Sequence, residues 1–203
     1  LARIAALGLP FWVAGGAGTP QQLRAAVDAG AHGVQVGTVF ALSTDSGFVP
    51  TVRQALLDGL AAGTLSVRTS GLASPTGFPF KVAPLPGTIG DEGTYEARPR
   101  LCDLGYLRTP YAREDGALGY RCASEPEHMY VRKGGELDAT PGRACLCNGL
   151  AATHGIGQHR ADGYDEVPIV TLGADLDGAR RLLAQYPHGW TAAQALDWIL
   201  NGA

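Results

Sequence analysis

No stretch of this chain approaches the roughly 18 to 20 consecutive apolar residues that a membrane-spanning helix needs, so no membrane partner is expected. The first ten residues are apolar but carry neither a basic segment nor a cleavage pattern, so no secretory signal is expected. The sequence begins at Leu1 instead of Met, which suits a fragment or a processed product. Clustered positive charge is also missing. Sixteen Lys and Arg stand against 19 Asp and Glu, a net charge of -3, and binding a nucleic-acid backbone needs concentrated cations. Nucleic acid is therefore not an expected partner. Cysteine is scarce, with four residues. Without a secretory signal they read as reduced thiols or metal ligands of a cytoplasmic protein.

Glycine is plentiful, with 29 residues spread along the chain without a period. That excludes a repeat or a collagen-like chain and points to many turns and close backbone approaches. Apolar residues at 45% and charged residues at 17% fit an ordinary soluble α/β protein with a real core.

Two glycine-terminated apolar runs carry most of the information. The first is Pro10-Phe-Trp-Val-Ala-Gly-Gly-Ala-Gly18 and the second is Gly33-Val-Gln-Val-Gly-Thr38. Each reads as a short buried strand, covered on both faces, that opens into a helix. Between them Thr19 is a good N-cap and Pro20 fits a first helical position, with a stop at Gly30. A further helix is expected over about residues 49–62, with Val52, Leu56, Leu57 and Leu60 on its apolar side. Residues 1–64 therefore read as the last strand–helix units of a (β/α)8 barrel.

The composition changes from about residue 65. Helical periodicity fades and Gly, Pro, Arg and Tyr become dense. A structureless loop of that length is improbable in a compact domain, so residues 65–150 read as an irregular, Cys-containing appendage. Residues 151–203 read as a short strand at 169–171 and two helices packing on the barrel. Thr191 would cap the second, and Ala195, Leu196, Ile199 and Leu200 would line its apolar side.

A phosphate group needs several N–H donors converging on one point, which glycine permits because it has no Cβ. Barrels of this class commonly place such a site in the last two strand–helix loops. Gly15, Gly16 and Gly18 would form one wall. Gly37 and Thr38 would form the other, with the Thr38 hydroxyl as an added donor, and Gln35 and Val36 would stand at the end of their strand.

On these residues the chain resembles a known family. Leu9-Pro-Phe-Trp-Val-Ala-Gly-Gly and Ala29-Gly-Ala-His-Gly-Val-Gln-Val-Gly-Thr-Val-Phe40 are similar to the nitronate monooxygenase (2-nitropropane dioxygenase) family. Ser74-Pro-Thr-Gly-Phe-Pro-Phe-Lys-Val82, Cys102-Asp-Leu-Gly-Tyr-Leu107 and Cys145-Leu-Cys-Asn-Gly149 resemble a bacterial branch of it. The resemblance covers nearly the whole chain but only the C-terminal portion of a family member. It implies a (β/α)8 barrel, an FMN cofactor and a small-molecule substrate, with oxidation of alkyl nitronates by O2. It maps family phosphate-site positions onto Gly16, Gln35, Val36, Gly37 and Thr38. It also implies that the catalytic histidine lies on earlier strands not in this sequence, so no catalytic base is assigned. A similar cradle serves enoyl-reductase-like and IMP-dehydrogenase-like barrels. A homo-oligomer is compatible with either.

The remaining candidates are weaker. Cys102, Cys122, Cys145 and Cys147 match the number a tetrahedral zinc site requires, but only Cys145 and Cys147 form a close pair. Buried free thiols are the simpler expectation, and a metal-stabilised, non-catalytic binding module is the alternative. His32, His128, His154, His159 and His188 read as loop residues. Arg98, Arg100, Arg108, Arg113, Arg121, Arg132 and Arg143 alternate with acidic residues and read as a solvated, ion-paired surface. Tyr106, Tyr111, Tyr120 and Tyr130 read as packing of a small core.

Overall fold

The computed structural model describes residues 1–202. It is a mixed α/β chain with three two-stranded sheets and nine α-helices among the described residues. No closed barrel forms among them. The chain divides into two units, residues 1–65 with 172–203 and residues 66–171.

The first unit holds the parallel sheet. Strand β1 (Trp12–Ala14) pairs with β2 (Gly33–Gln35) in the register Trp12 to Gly33, Val13 to Val34 and Ala14 to Gln35. Helix α1 (Ala2–Ala5) precedes them, and α2 (Pro20–Asp28) makes the crossover. Thr19 caps α2 by accepting from the Gln22 amide at 3.2 Å, and Gly30 at φ +91° turns the chain back. Helices α3 (Thr38–Ala41) and α4 (Pro50–Ala61) follow. All four expected apolar residues of α4, Val52, Leu56, Leu57 and Leu60, are buried.

Two further helices of this unit lie at the end of the chain, α8 (Asp177–Gln185) and α9 (Ala192–Asn201). Thr191 closes a capping box with Gln194 at the start of α9. Helix α4 packs on α8, α3 on both α8 and α9, and α2 on α9. Trp190, wholly buried, ties these layers together, its indole N–H donating to the Val39 carbonyl at 2.7 Å.

Several expectations need correction here. β1 and β2 are not doubly covered: Trp12 is 57% exposed, Ala14 and Gln35 are exposed, and Val13 and Val34 are half-buried. Each strand has a single paired neighbour, so both outer edges of this two-stranded sheet lack a strand partner. Leu196 and Leu200 of α9 and Val27 of α2 are also exposed, because each helix buries a stripe narrower than its apolar sequence.

The second unit holds two antiparallel hairpins, β3 (Arg68–Ser70) with β4 (Phe80–Val82) and β5 (Thr109–Ala112) with β6 (Leu118–Arg121). Helices α5 (Glu92–Ala97), α6 (Glu127–Arg132) and α7 (Leu146–Thr153) complete it. One core cluster of this unit is Ile89, Ala144, Leu146 and Ile169, with Phe80, Tyr95, Leu107, Leu150 and Val167 against them. Residues 151–171 belong to this unit, whereas the sequence reading grouped them with the C-terminal helices. Helix α7 runs across position 150, and the Ile169 amide donates to the Gly149 carbonyl at 3.0 Å. Residues 169–171 form no strand, although Val170 accepts from the Ala83 amide at 3.0 Å.

Trp190 gives a test of the first unit. Trp190→Ala removes its largest buried side chain and should destabilise that unit by about 3–5 kcal/mol in chemical denaturation followed by circular dichroism. Trp190→Phe keeps most of the volume but strands the Val39 carbonyl, and should cost about 1–3 kcal/mol.

Candidate functional site

Parallel pairing decides where the two glycine turns go. Because Ala14 is level with Gln35, Gly15-Gly16 and Val36-Gly37 leave the sheet from the same end. Gly15 and Gly16 both hold positive φ, +80° and +61°, which a side chain would strain. No atom lies within 4 Å of where a Cβ would stand on Gly15 or Gly37, so the space above both is open. Gly18 is more enclosed; its Cβ position lies 3.5 Å from Val36 Cγ1 and 3.9 Å from Val39 Cγ1. Gln35 and Gly37 are exposed, and Val36 and Thr38 half-buried.

A third wall comes from the far end of the sequence. The Gly173 amide donates to Thr38 Oγ1 at 2.8 Å, which orients the hydroxyl and leaves its proton available to another acceptor. Asp175 Oδ2 stands 3.5 Å from the Cβ position of Gly16. That carboxylate is already held, by Gln22 Nε2 at 2.8 Å and by the Asp177 amide at 3.0 Å. On α8, a Cβ at Gly178 would run into the Gly18 carbonyl, so helix and loop touch backbone to backbone. Gly173, Asp175 and Gly178 were missed in the sequence. The signal was present: Val170-Thr-Leu-Gly173 is a third apolar run ending in glycine.

His32 is at the wrong end for chemistry at the strand tips. It precedes β2, donates its amide to the Phe11 carbonyl at 2.9 Å, and its ring lies 6.0 Å from that of Trp12. Among the residues of the strand tips there is no histidine.

The second unit holds a buried polar network. Arg98 and Glu166 form a bidentate pair with both N–O distances 2.7 Å, their side chains 5% and 0% exposed. Asn148 donates to Glu166 at 3.0 Å and to Asp103 at 2.9 Å, and Arg160 pairs with Asp103. Burial works against the Arg98 cation, yet the hydrogen bond and charge of Glu166 hold its pKa above the ordinary value. Burial raises Tyr164, which donates to Glu166 at 3.2 Å.

Several arginines are not the solvated surface expected of them. Arg143 donates to the carbonyls of Gly71, Leu72 and Ser74 at 3.3, 3.0 and 2.6 Å. Arg100 donates to those of Ala123, Glu125 and Thr140. Arg121 lies over the rings of Tyr111 and Tyr130, 5.0 and 5.7 Å from their centres. Tyr106 and Tyr120 are exposed instead of packed in a core, since the appendage supplies too little apolar surface to cover them.

All four cysteines are free, Cys122 and Cys145 buried and Cys102 and Cys147 half-buried. Burial pushes Cys122 up and Cys145 up to about 11, and Cys102 and Cys147 reinforce both shifts as like charges. Among the described residues no three His, Cys, Asp or Glu side chains converge at coordination distance.

No family model, curated protein or solved structure matches the chain. No helix among the described residues is long and apolar enough to cross a membrane.

Two predictions follow from the polar groups. Glu166→Ala leaves Arg98 buried without its partner and should destabilise the second unit by about 3–5 kcal/mol in denaturant melts. His159, exposed, pairs with Asp165, whose hydrogen bond and charge raise its pKa. The stabilisation from that pair is complete below the unfolded value of about 6.5 and is lost as pH rises through the higher folded value. An NMR titration should place His159 above ordinary histidine, and Asp165→Asn should return it to normal.

Proposed function

We propose that the first unit is the phosphate-binding portion of an FMN-dependent α/β barrel, an oxidoreductase of nitronate monooxygenase type. The observation that carries this reading is the parallel register that sends both glycine turns out of one end of the sheet, with open space above Gly15 and Gly37. Main-chain amides of these turns and the Thr38 hydroxyl would hold the phosphate. Asp175 sets a limit on the fit. A carboxylate beside Gly16 repels an anion, so the phosphate would sit toward Gly15, Gly37 and Thr38. Asp175 is instead suited to accept from a hydroxyl of the ribityl chain. Bound flavin would supply the redox chemistry.

The proton-abstracting group is not assigned to this chain, since no residue of the strand tips is a free base in reach. The exposed apolar side chains Ile4, Leu7, Leu9 and Trp12 around β1 are what a strand of a larger sheet would show where further elements pack. We therefore expect the chain alone to turn over alkyl nitronates poorly or not at all. Stoichiometric yellow flavin together with nitronate turnover would overturn that expectation. The enoyl-reductase-like alternative shares the cradle, and NAD(P)H oxidation measured against nitronate oxidation separates the two.

The cradle itself is tested by fluorescence titration. FMN should bind at least about tenfold more tightly than riboflavin, a difference of roughly 1.4 kcal/mol, because the phosphate is the anchor. At Gly37, which is exposed, an added Cβ meets no atom within 4 Å, so Gly37→Leu should leave the fold intact while filling the phosphate space and abolishing that preference. Equal affinity for the two flavins, or an unaltered preference in Gly37→Leu, would sink the reading.

A further inference from the structure

The second unit has an unusual deficit. Across residues 90–143 the only buried apolar side chains are those of Cys122 and Ala123. A segment so poor in core normally takes its stability from a cross-link or a metal. Hydrogen bonds to carbonyls and one buried ion pair hold its loops, including those in the space between β5–β6 and the start of α7.

The backbone brings all four cysteines to that space, although they are far apart in sequence. Cys122 directly follows β6, whose last residue, Arg121, pairs with Thr109. Arg108, next to Thr109, reaches back to the Cys102 carbonyl at 3.4 Å and the Cys102 thiol at 3.6 Å. The Leu104 amide donates to Asn148 Oδ1 at 3.4 Å, which holds the segment beginning at Cys102 against the first turn of α7. Cys145 is the N-cap of that helix and Cys147 its second residue.

The surroundings suit thiolates bound to a cation. Ser124 Oγ lies 3.1 Å from Cys122 Sγ, and two guanidinium groups, Arg108 near Cys102 and Arg98 near Cys145, would offset the excess negative charge of four thiolates on a divalent ion. The neighbouring carboxylates are engaged elsewhere: Asp103 with Asn148 and Arg160, Glu166 with Arg98. Glu125 Oε1 is buried without a hydrogen-bond partner, and Arg108 feels its charge.

We propose that Cys102, Cys122, Cys145 and Cys147 form a tetrathiolate site for a thiophilic divalent cation of the zinc class, which clamps the β5–β6 hairpin and the Cys102 segment onto the start of α7. The four sulfurs do not converge in this structure, so loading requires rearrangement of the side chains and loops that carry them. Zinc suits the site because it accepts four sulfur ligands tetrahedrally and has no redox requirement.

The test uses the whole chain, reduced, stripped of metal and titrated with Co2+ and then Zn2+. Supporting results are one cobalt per chain, thiolate-to-cobalt charge transfer with tetrahedral visible bands, and displacement by zinc. Zinc should also slow alkylation of all four thiols by about tenfold or more. Cys102→Ser and Cys147→Ser should each weaken the cobalt spectrum; the wild-type stoichiometry and spectrum decide whether or not these variants fold. Absence of stoichiometric metal, an octahedral oxygen-type spectrum, or fewer than four protected thiols would overturn the proposal. None of these readouts involves flavin, so failure here leaves the cradle reading untouched.

Discussion

A parallel pairing only three residues long cannot hold its own register, so everything at the strand tips depends on what packs around it. The register matters because a slip would separate Gly15 from Gly37 along the sheet and invert the faces of both strands. The constraint is met by α2, which packs on β2 and α9, and by the buried Trp190, which links the chain before α9 to the carbonyl of Val39. Gly178 allows α8 to approach the Gly18 loop at backbone distance. The site is thus fixed by helices from the opposite end of the chain.

The second unit solves a different problem. It has little to bury, and it spends guanidinium groups where another fold would place leucines. Arg143 and Arg100 each gather carbonyls from separate loops, and the fixed fork of the side chain makes that possible without any neighbouring secondary structure. Arg98 does the same for a buried carboxylate whose other lone pairs are taken by Asn148, Tyr164 and the Val167 amide. Loops fastened this way have fixed geometry but are vulnerable to the loss of single side chains.

Local signals were the legible ones. Thr19 with Pro20, the α4 stripe and Thr191 follow from capping and periodicity, which need only neighbouring residues. The strand tips were legible because glycine after a short apolar run marks them. The hairpins were not recognised, although Asp115-Gly116, with Gly116 at φ +78°, is a turn signal between apolar residues. The role of the arginines could not be read, because interspersed acids suggested surface pairs while their partners were distant carbonyls. Asp175 was illegible for the same reason: its place beside Gly16 is a long-range event.

The two stretches that build the cradle are separated by the entire second unit, residues 66–171. During synthesis, β1, β2 and the loops after them emerge long before Gly173, Asp175 and Gly178 exist. The nascent glycine turns must wait without this third wall until the closing segment leaves the ribosome. A protease cut within the intervening unit would leave the two halves of the cradle on separate polypeptides, held by packing alone.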